Sequence, residues 1–202
     1  MTLLIIIVTV IISLLGFSKG ELTSKLIFDP YAIKHHNEWW RFITGGLLHA
    51  DFFHLFINMF VLYSFGQAVE YYYGMAFGSK ATIMYLTLYI SGIFAANVST
   101  YYKQQNNALY RSLGASGAVS AIVFTTILFN PYSKIYLYGI IGLPGILMGV
   151  AYLIYTYYMS KKDADHINHD AHLYGAVYGI LFTIVFKPTL LLFFMKQLFF
   201  LN

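Results

Sequence analysis

The sequence predicts an all-α membrane protein: a six-transmembrane-helix bundle forming a single domain over residues 1–202. Three observations predict it. The chain is 59% hydrophobic and only 10% charged, with a mean hydropathy of +0.66, where a soluble domain carries roughly 25% charged residues. Six apolar windows approach or reach the roughly 17 to 25 residues that cross a bilayer. Once they are placed, too little chain remains for a second, soluble domain.

The windows run approximately over residues 2–17, 50–69, 81–100, 114–130, 135–160 and 171–189. The first has neither the basic leader nor the small-x-small cleavage site of a secretory signal, so it reads as a span. The connection after it, "SKGELTSKLIFDPYAIKHHNEWWRFITGG", mixes charge with aromatic residues, as a segment lying in the membrane interface would. In the fifth window "GLPG", residues 142–145, separates an interfacial approach from a helix that starts near Pro144, which narrows the span to 144–160. The terminal "LLFFMKQLFFLN" either continues the sixth helix or lies in the interface.

Composition also excludes functions. The net charge is +4, but the twelve Lys and Arg are scattered, so no basic cluster marks nucleic acid or anionic lipid. With no Cys there is no disulfide, thiolate metal site or cysteine nucleophile. Nineteen Tyr and eighteen Phe suit interfacial belts and a lipid-facing surface.

In a six-span bundle the even-numbered helices run in one direction, so the starts of helices 2, 4 and 6 share a face. His54 and Asn58 lie in the first turns of helix 2, Ser116 in the first turn of helix 4 and His172 in the first turn of helix 6. The remaining histidines, His35, His36, His49, His166 and His169, fall in connections or helix starts on that same face. Ionisable groups below the interface are costly and usually face the bundle interior, so the cluster is a candidate site; a wet, histidine-rich surface is the plain alternative.

Taken alone, the "GASG" of residues 114–117 is an ordinary helix start with small packing residues. As chemistry, it gives a substrate backbone room to approach Ser116, and the helix N-terminus offers amide hydrogens to a developing oxyanion. In "AHLYGAVYG", residues 171–179, Gly175 and Gly179 form a smooth face matching Gly117, Ser120 and Ala121 on helix 4. Close contact there brings His172, one turn before Gly175, toward Ser116 as a general base. In "HLFIN", the spacing of four puts His54 and Asn58 on one face, either as a structural polar contact or as oxyanion donors beside the Ser116 backbone amide. The segment "DHINHDAH" raises metal binding through His166, His169, His172, Asp163, Asp165 and Asp170, but it has no recognisable ligand spacing, and no metal is expected. Asp170 reads as the cap of helix 6 rather than a third catalytic member, leaving a dyad.

In this order, "WWR" with Trp40 and Arg41, "HADFFHLFINMF", "GQAVE", "GASGA" and "HLYGAVYG" resemble the rhomboid family of intramembrane serine proteases over most of the chain. The resemblance implies Ser116 as nucleophile, His172 as general base and acid, His54 and Asn58 as oxyanion donors, Trp40 and Arg41 as a structural pair in the first loop, and Glu70 as the acidic residue at the far end of helix 2. It implies single-span transmembrane substrates, no cofactor and a multi-pass protein of the cell (inner) membrane; no feature sets an oligomeric state. A catalytically silent rhomboid-like module that holds membrane clients is the alternative, and a small transporter a more distant one. Two departures stand out. Many relatives carry Tyr or Phe four residues after the serine, packed on the histidine, where this chain has Ser120. The family's topology would also put Lys80, Lys134, Lys187 and Lys196 inside and the other eight Lys and Arg outside, against the usual positive-inside bias.

Overall fold

A computed structural model of the chain describes residues 1–137, 140–162 and 167–199. His166, Asp163 and Asp165 of the candidate metal segment lie outside the described residues. Ten α-helices occur among those described: α1 Thr2–Ser18, α2 Gly20–Leu26, α3 Pro30–His36, α4 Arg41–Thr44, α5 Phe52–Phe77, α6 Ala81–Gln104, α7 Ser116–Phe129, α8 Gly145–Met159, α9 His169–Phe186 and α10 Thr189–Leu198.

Packing on α1 is inverted relative to a helix of a soluble protein. On α1 the buried residues are Thr2, Thr9, Ser13 and Gly16, while Leu3, Leu4, Ile7, Ile11 and Leu15 face outward. Large apolar side chains are likewise exposed on α5 (Phe52, Phe53, Phe56, Phe60) and α9 (Leu181, Val185, Phe186). Small and polar residues inside with a greasy exterior is the pattern of helices packed in lipid, where burying apolar surface between helices brings no gain over the lipid tails. By length and composition, Phe52–Gln104 is apolar enough to cross a membrane, as is the bent pair His169–Phe186 with Thr189–Leu198; Thr2–Ser18, Ser116–Phe129 and Gly145–Met159 are shorter apolar helices.

α7 is the central helix, buried on nearly every side and packed against α5, α6 and α9; α1 rests on α5, and α8 leans on α7 and α9. Between α5 and α6 the chain reverses at Gly78, whose φ of 54° is the left-handed conformation that glycine tolerates. α5 runs past the expected 50–69 window to Phe77, and the Glu70 carboxylate, which ended that window, accepts from the Thr2 backbone N–H at 2.6 Å. α10 turns by 119° from α9 at Pro188 rather than continuing it.

The all-α expectation needs one amendment. β1 Lys134–Leu137 and β2 Ile141–Pro144 pair antiparallel, Lys134 opposite Pro144 and Leu137 opposite Ile141. The alternation "KIYL" and "IGLP" favours extended backbone, and Pro144, unable to donate to the ladder, ends the strand. α8 then starts at Gly145, one residue after the proline at which a helix was expected.

Candidate active site

The site is built where the first turns of α5, α7 and α9 meet, and backbone geometry fixes it. Gly114 adopts φ 127°, and a Cβ there would stand 2.9 Å from His54 Cε1 and 3.1 Å from Nε2, so only glycine lets the segment before α7 lie against that ring. The Gly114 N–H donates to the Gly45 carbonyl at 3.0 Å, anchoring the turn to the first loop. No side chain caps the α7 N-terminus.

α7 and α9 touch backbone to backbone. A Cβ on Gly175 would overlap the carbonyl of Gly117, and one on Gly179 the carbonyl of Ala121. Thr125 Oγ1 donates to the Gly179 carbonyl at 3.2 Å, tying the two helices one turn deeper. At the near end of this seam His172 Nε2 lies 2.7 Å from Ser116 Oγ. That is the distance of a good hydrogen bond and the one a base needs to take the serine proton.

His54 and Asn58 flank the pair. Asp51 caps α5, its side chain accepting from the His54 N–H at 2.7 Å, which fixes where the His54 side chain leaves the helix. The His54 Nδ1 takes a long contact, 3.4 Å, from the Ala50 N–H; that contact favours a proton on Nε2, the nitrogen that lies against Gly114. Asn58 is buried, and one of its Nδ2 hydrogens goes to the His54 carbonyl at 3.0 Å. Ser116, His172, His54 and Asn58 all line one cavity of about 830 Å³, which runs on between α5, α7 and α8.

Behind them stands His49, which sequence reading placed on the right face without a role. It is buried, its Nδ1 lies 3.0 Å from Ser13 Oγ of α1, and its ring meets His54 edge to face at 4.9 Å. Burial, followed by the nearby His54, pushes its pKa down to about 3, with Asp51 opposing. The remaining histidines divide. His169 is buried against Tyr155 and His172, whereas His35 and His36 are exposed on α3 and do not line the cavity.

Arg41 is buried, gives Nη1 hydrogen bonds to the carbonyls of Ser24 (2.8 Å) and Ile27 (2.9 Å), and pairs with Glu38; Trp40 Nε1 reaches the Lys25 carbonyl. The two residues thus fasten the first loop to itself. Asp170 is not the cap of its helix. Asn168 is, its side chain accepting from the Ala171 N–H at 3.1 Å, while Asp170 forms an ion pair with Lys103 at 2.6 Å. An Asx residue two positions earlier was available, and a carboxylate with a cation in reach of α6 pairs with it instead.

Sequence reading also missed Tyr152. Its ring lies nearly parallel to His172, 16° between planes and 6.3 Å between centroids, and its hydroxyl is 2.8 Å from Ser120 Oγ. Nothing in "YLIYTYY" singles out one tyrosine; only the vacant place at Ser120 could have prompted a search for a ring from another helix.

A family model, the Rhomboid domain, matches residues 36–189. The chain is 32% identical over 148 residues to "Putative rhomboid protease YdcA" of Bacillus subtilis, covering 72% of this chain and 66% of that protein. It is 31% identical over 150 residues to "RHOMBOID-like protein 12, mitochondrial" of Arabidopsis thaliana, covering 66% and 42%. Against "Rhomboid protease AarA" of Providencia stuartii the identity is 27% over 176 residues, covering 77% and 59%. The matches therefore span between 42% and 66% of the length of these three relatives.

Proposed function

The chain belongs to the rhomboid family, and from this premise we propose that it is an intramembrane serine endopeptidase that cleaves single-span membrane proteins with a Ser116–His172 dyad. The observation that carries the reading is the 2.7 Å contact between His172 Nε2 and Ser116 Oγ inside a cavity also lined by His54 and Asn58. A client-binding module has no need to keep these four groups converged.

In the proposed reaction His172 Nε2 takes the Ser116 proton as Oγ attacks the scissile carbonyl. The oxyanion so formed accepts hydrogen bonds from His54 Nε2–H, Asn58 Nδ2–H and the Ser116 N–H. Protonated His172 then gives its proton to the departing amine, and a water activated by the same nitrogen hydrolyses the acyl-enzyme. Each donor contributes roughly 2.7 to 4 kcal/mol to the transition state, by analogy with oxyanion-hole deletions.

In this reading α1, α5, α6, α7, α8 and α9 are the six crossings of a single membrane domain, and the protein sits in the cell (inner) membrane. The meeting of the first turns of α5, α7 and α9 supports it, since those are the second, fourth and sixth crossings and run the same way. With 14 residues, α7 is only about 21 Å long against a hydrocarbon core of about 30 Å, which supports a Ser116 lying below the membrane surface. Incubating the purified protein in proteoliposomes with a model single-span substrate tests the function. Ser116→Ala and His172→Ala are each expected to abolish cleavage while the protein remains folded, and cleavage retained by either variant sinks the dyad.

A further inference from the structure

The Nε2 hydrogen bond to Ser116 fixes one edge of the His172 imidazole, and the His169 ring of the same helix meets it edge to face at 5.9 Å; the flat of the ring is a separate surface. For His172 that face is covered from α8. Tyr152 lies nearly parallel to it at 6.3 Å, within the range of offset aromatic pairs. Tyr152 is in turn held by α7 at two points: its hydroxyl is 2.8 Å from Ser120 Oγ, and its ring packs at 5.8 Å on Phe124. Ser116, Ser120 and Phe124 recur every four residues and so share one face of α7. One stripe of α7 therefore supplies the reacting hydroxyl, the anchor and the flank.

We propose that Tyr152 is a positioning residue for His172, tethered by Ser120, so that the base is oriented by three helices and not by the two that carry the reacting atoms. The small Ser120 leaves the space that the incoming ring occupies, and its hydroxyl satisfies the phenol that would otherwise be half-buried without a partner. The orientation of the base consequently depends on α8 being docked: moving α8 away uncovers His172 even if the bond to Ser116 survives. The inference rests on the dyad reading, and its test is built to separate the two.

Steady-state cleavage of a single-span substrate in proteoliposomes is compared for wild type, Tyr152→Ala, Tyr152→Phe, Ser120→Ala and the double variant Ser120→Ala/Tyr152→Phe. The expectation is a kcat about tenfold lower in Tyr152→Ala, a larger change than any in KM, because the base loses its orientation even though the ring also lines the cavity. Tyr152→Phe keeps the ring and should recover most of that kcat. Ser120→Ala should lose as much as Tyr152→Phe, and the double variant no more than either, since all three break the same tether. Moving the ring to α7, in Ser120→Tyr/Tyr152→Ala, should restore kcat over Tyr152→Ala alone. An unchanged kcat in Tyr152→Ala, or an effect confined to KM, overturns the proposal. Should Tyr152→Ala not fold, the tether variants decide it, and additive losses overturn it. A wild-type protein that neither cleaves nor reacts at Ser116 refutes the dyad itself, whereas an active wild type with an indifferent Tyr152 refutes only the positioning.

Discussion

Gly175→Ala is the smallest change that should disable the site without touching a reacting atom. The added Cβ would stand 2.7 Å from the carbonyl carbon and 2.9 Å from Cα of Gly117, both backbone atoms that no rotamer change can move. Carbon–carbon contact wants about 3.5 Å, and the Gly117 carbonyl oxygen stands closer still, so α9 must withdraw from α7 by at least about 0.8 Å. His172 sits one turn earlier on the same rigid helix, and its 2.7 Å bond to Ser116 would lengthen to about 3.5 Å, past a useful hydrogen bond. Misplacement on the order of 1 Å costs about 10²-fold in rate, and that is the fall expected in kcat. Cleavage of the model substrate reads it, with thermal unfolding in detergent measured alongside. Gly179→Ala should behave similarly through its clash with the Ala121 backbone, whereas Gly74→Ala, where a Cβ meets nothing within 4 Å, serves as the neutral control. A Gly175→Ala protein with wild-type kcat would refute the claim that this backbone contact sets the dyad distance.

Asn58→Ala should lower kcat by about 10² to 10³ with little change in KM, because the donor acts on charge that exists only in the transition state; steady-state kinetics check it, and a pure KM effect removes Asn58 from the oxyanion site. Acid should destabilise the fold through His49. Its folded pKa of about 3 lies below the usual 6.5, so the unfolded chain binds the proton first, and stability is full above pH 6.5 and drains as the pH falls toward 3. Between pH 7 and pH 5 the loss should be about 2 kcal/mol, seen as a lower unfolding temperature, and His49→Asn should flatten that limb.

Much of the candidate site is legible in the sequence because the starts of alternate apolar helices are expected on one face, and the first turns of α5, α7 and α9 do meet. His54, Ser116 and His172 could be brought together knowing only that they open alternate helices, and the glycines at 175 and 179 named the seam. What escaped depends on the relative placement of helices. Tyr152 is one of several tyrosines on α8, and which of them meets His172 is a matter of how α8 rotates against α7. Asn168 caps α9 because the helix starts at His169, which puts Asp170 inside the first turn, where it pairs with Lys103, far away in sequence. The full length of α5 is hidden because a charge at Glu70 ends the apolar window while the helix itself runs on to Phe77. The β1–β2 ribbon is not legible because its apolar run reads equally as an approach to a helix.

The central claim is that Ser116 is a nucleophile activated by His172. The most direct measurement reacts the purified, full-length protein with a fluorophosphonate probe and locates the modified residue by peptide mass spectrometry. The account predicts a single label on Ser116 in the wild type and none in His172→Ala. Label on another serine, or Ser116 labelled equally well without His172, would contradict it.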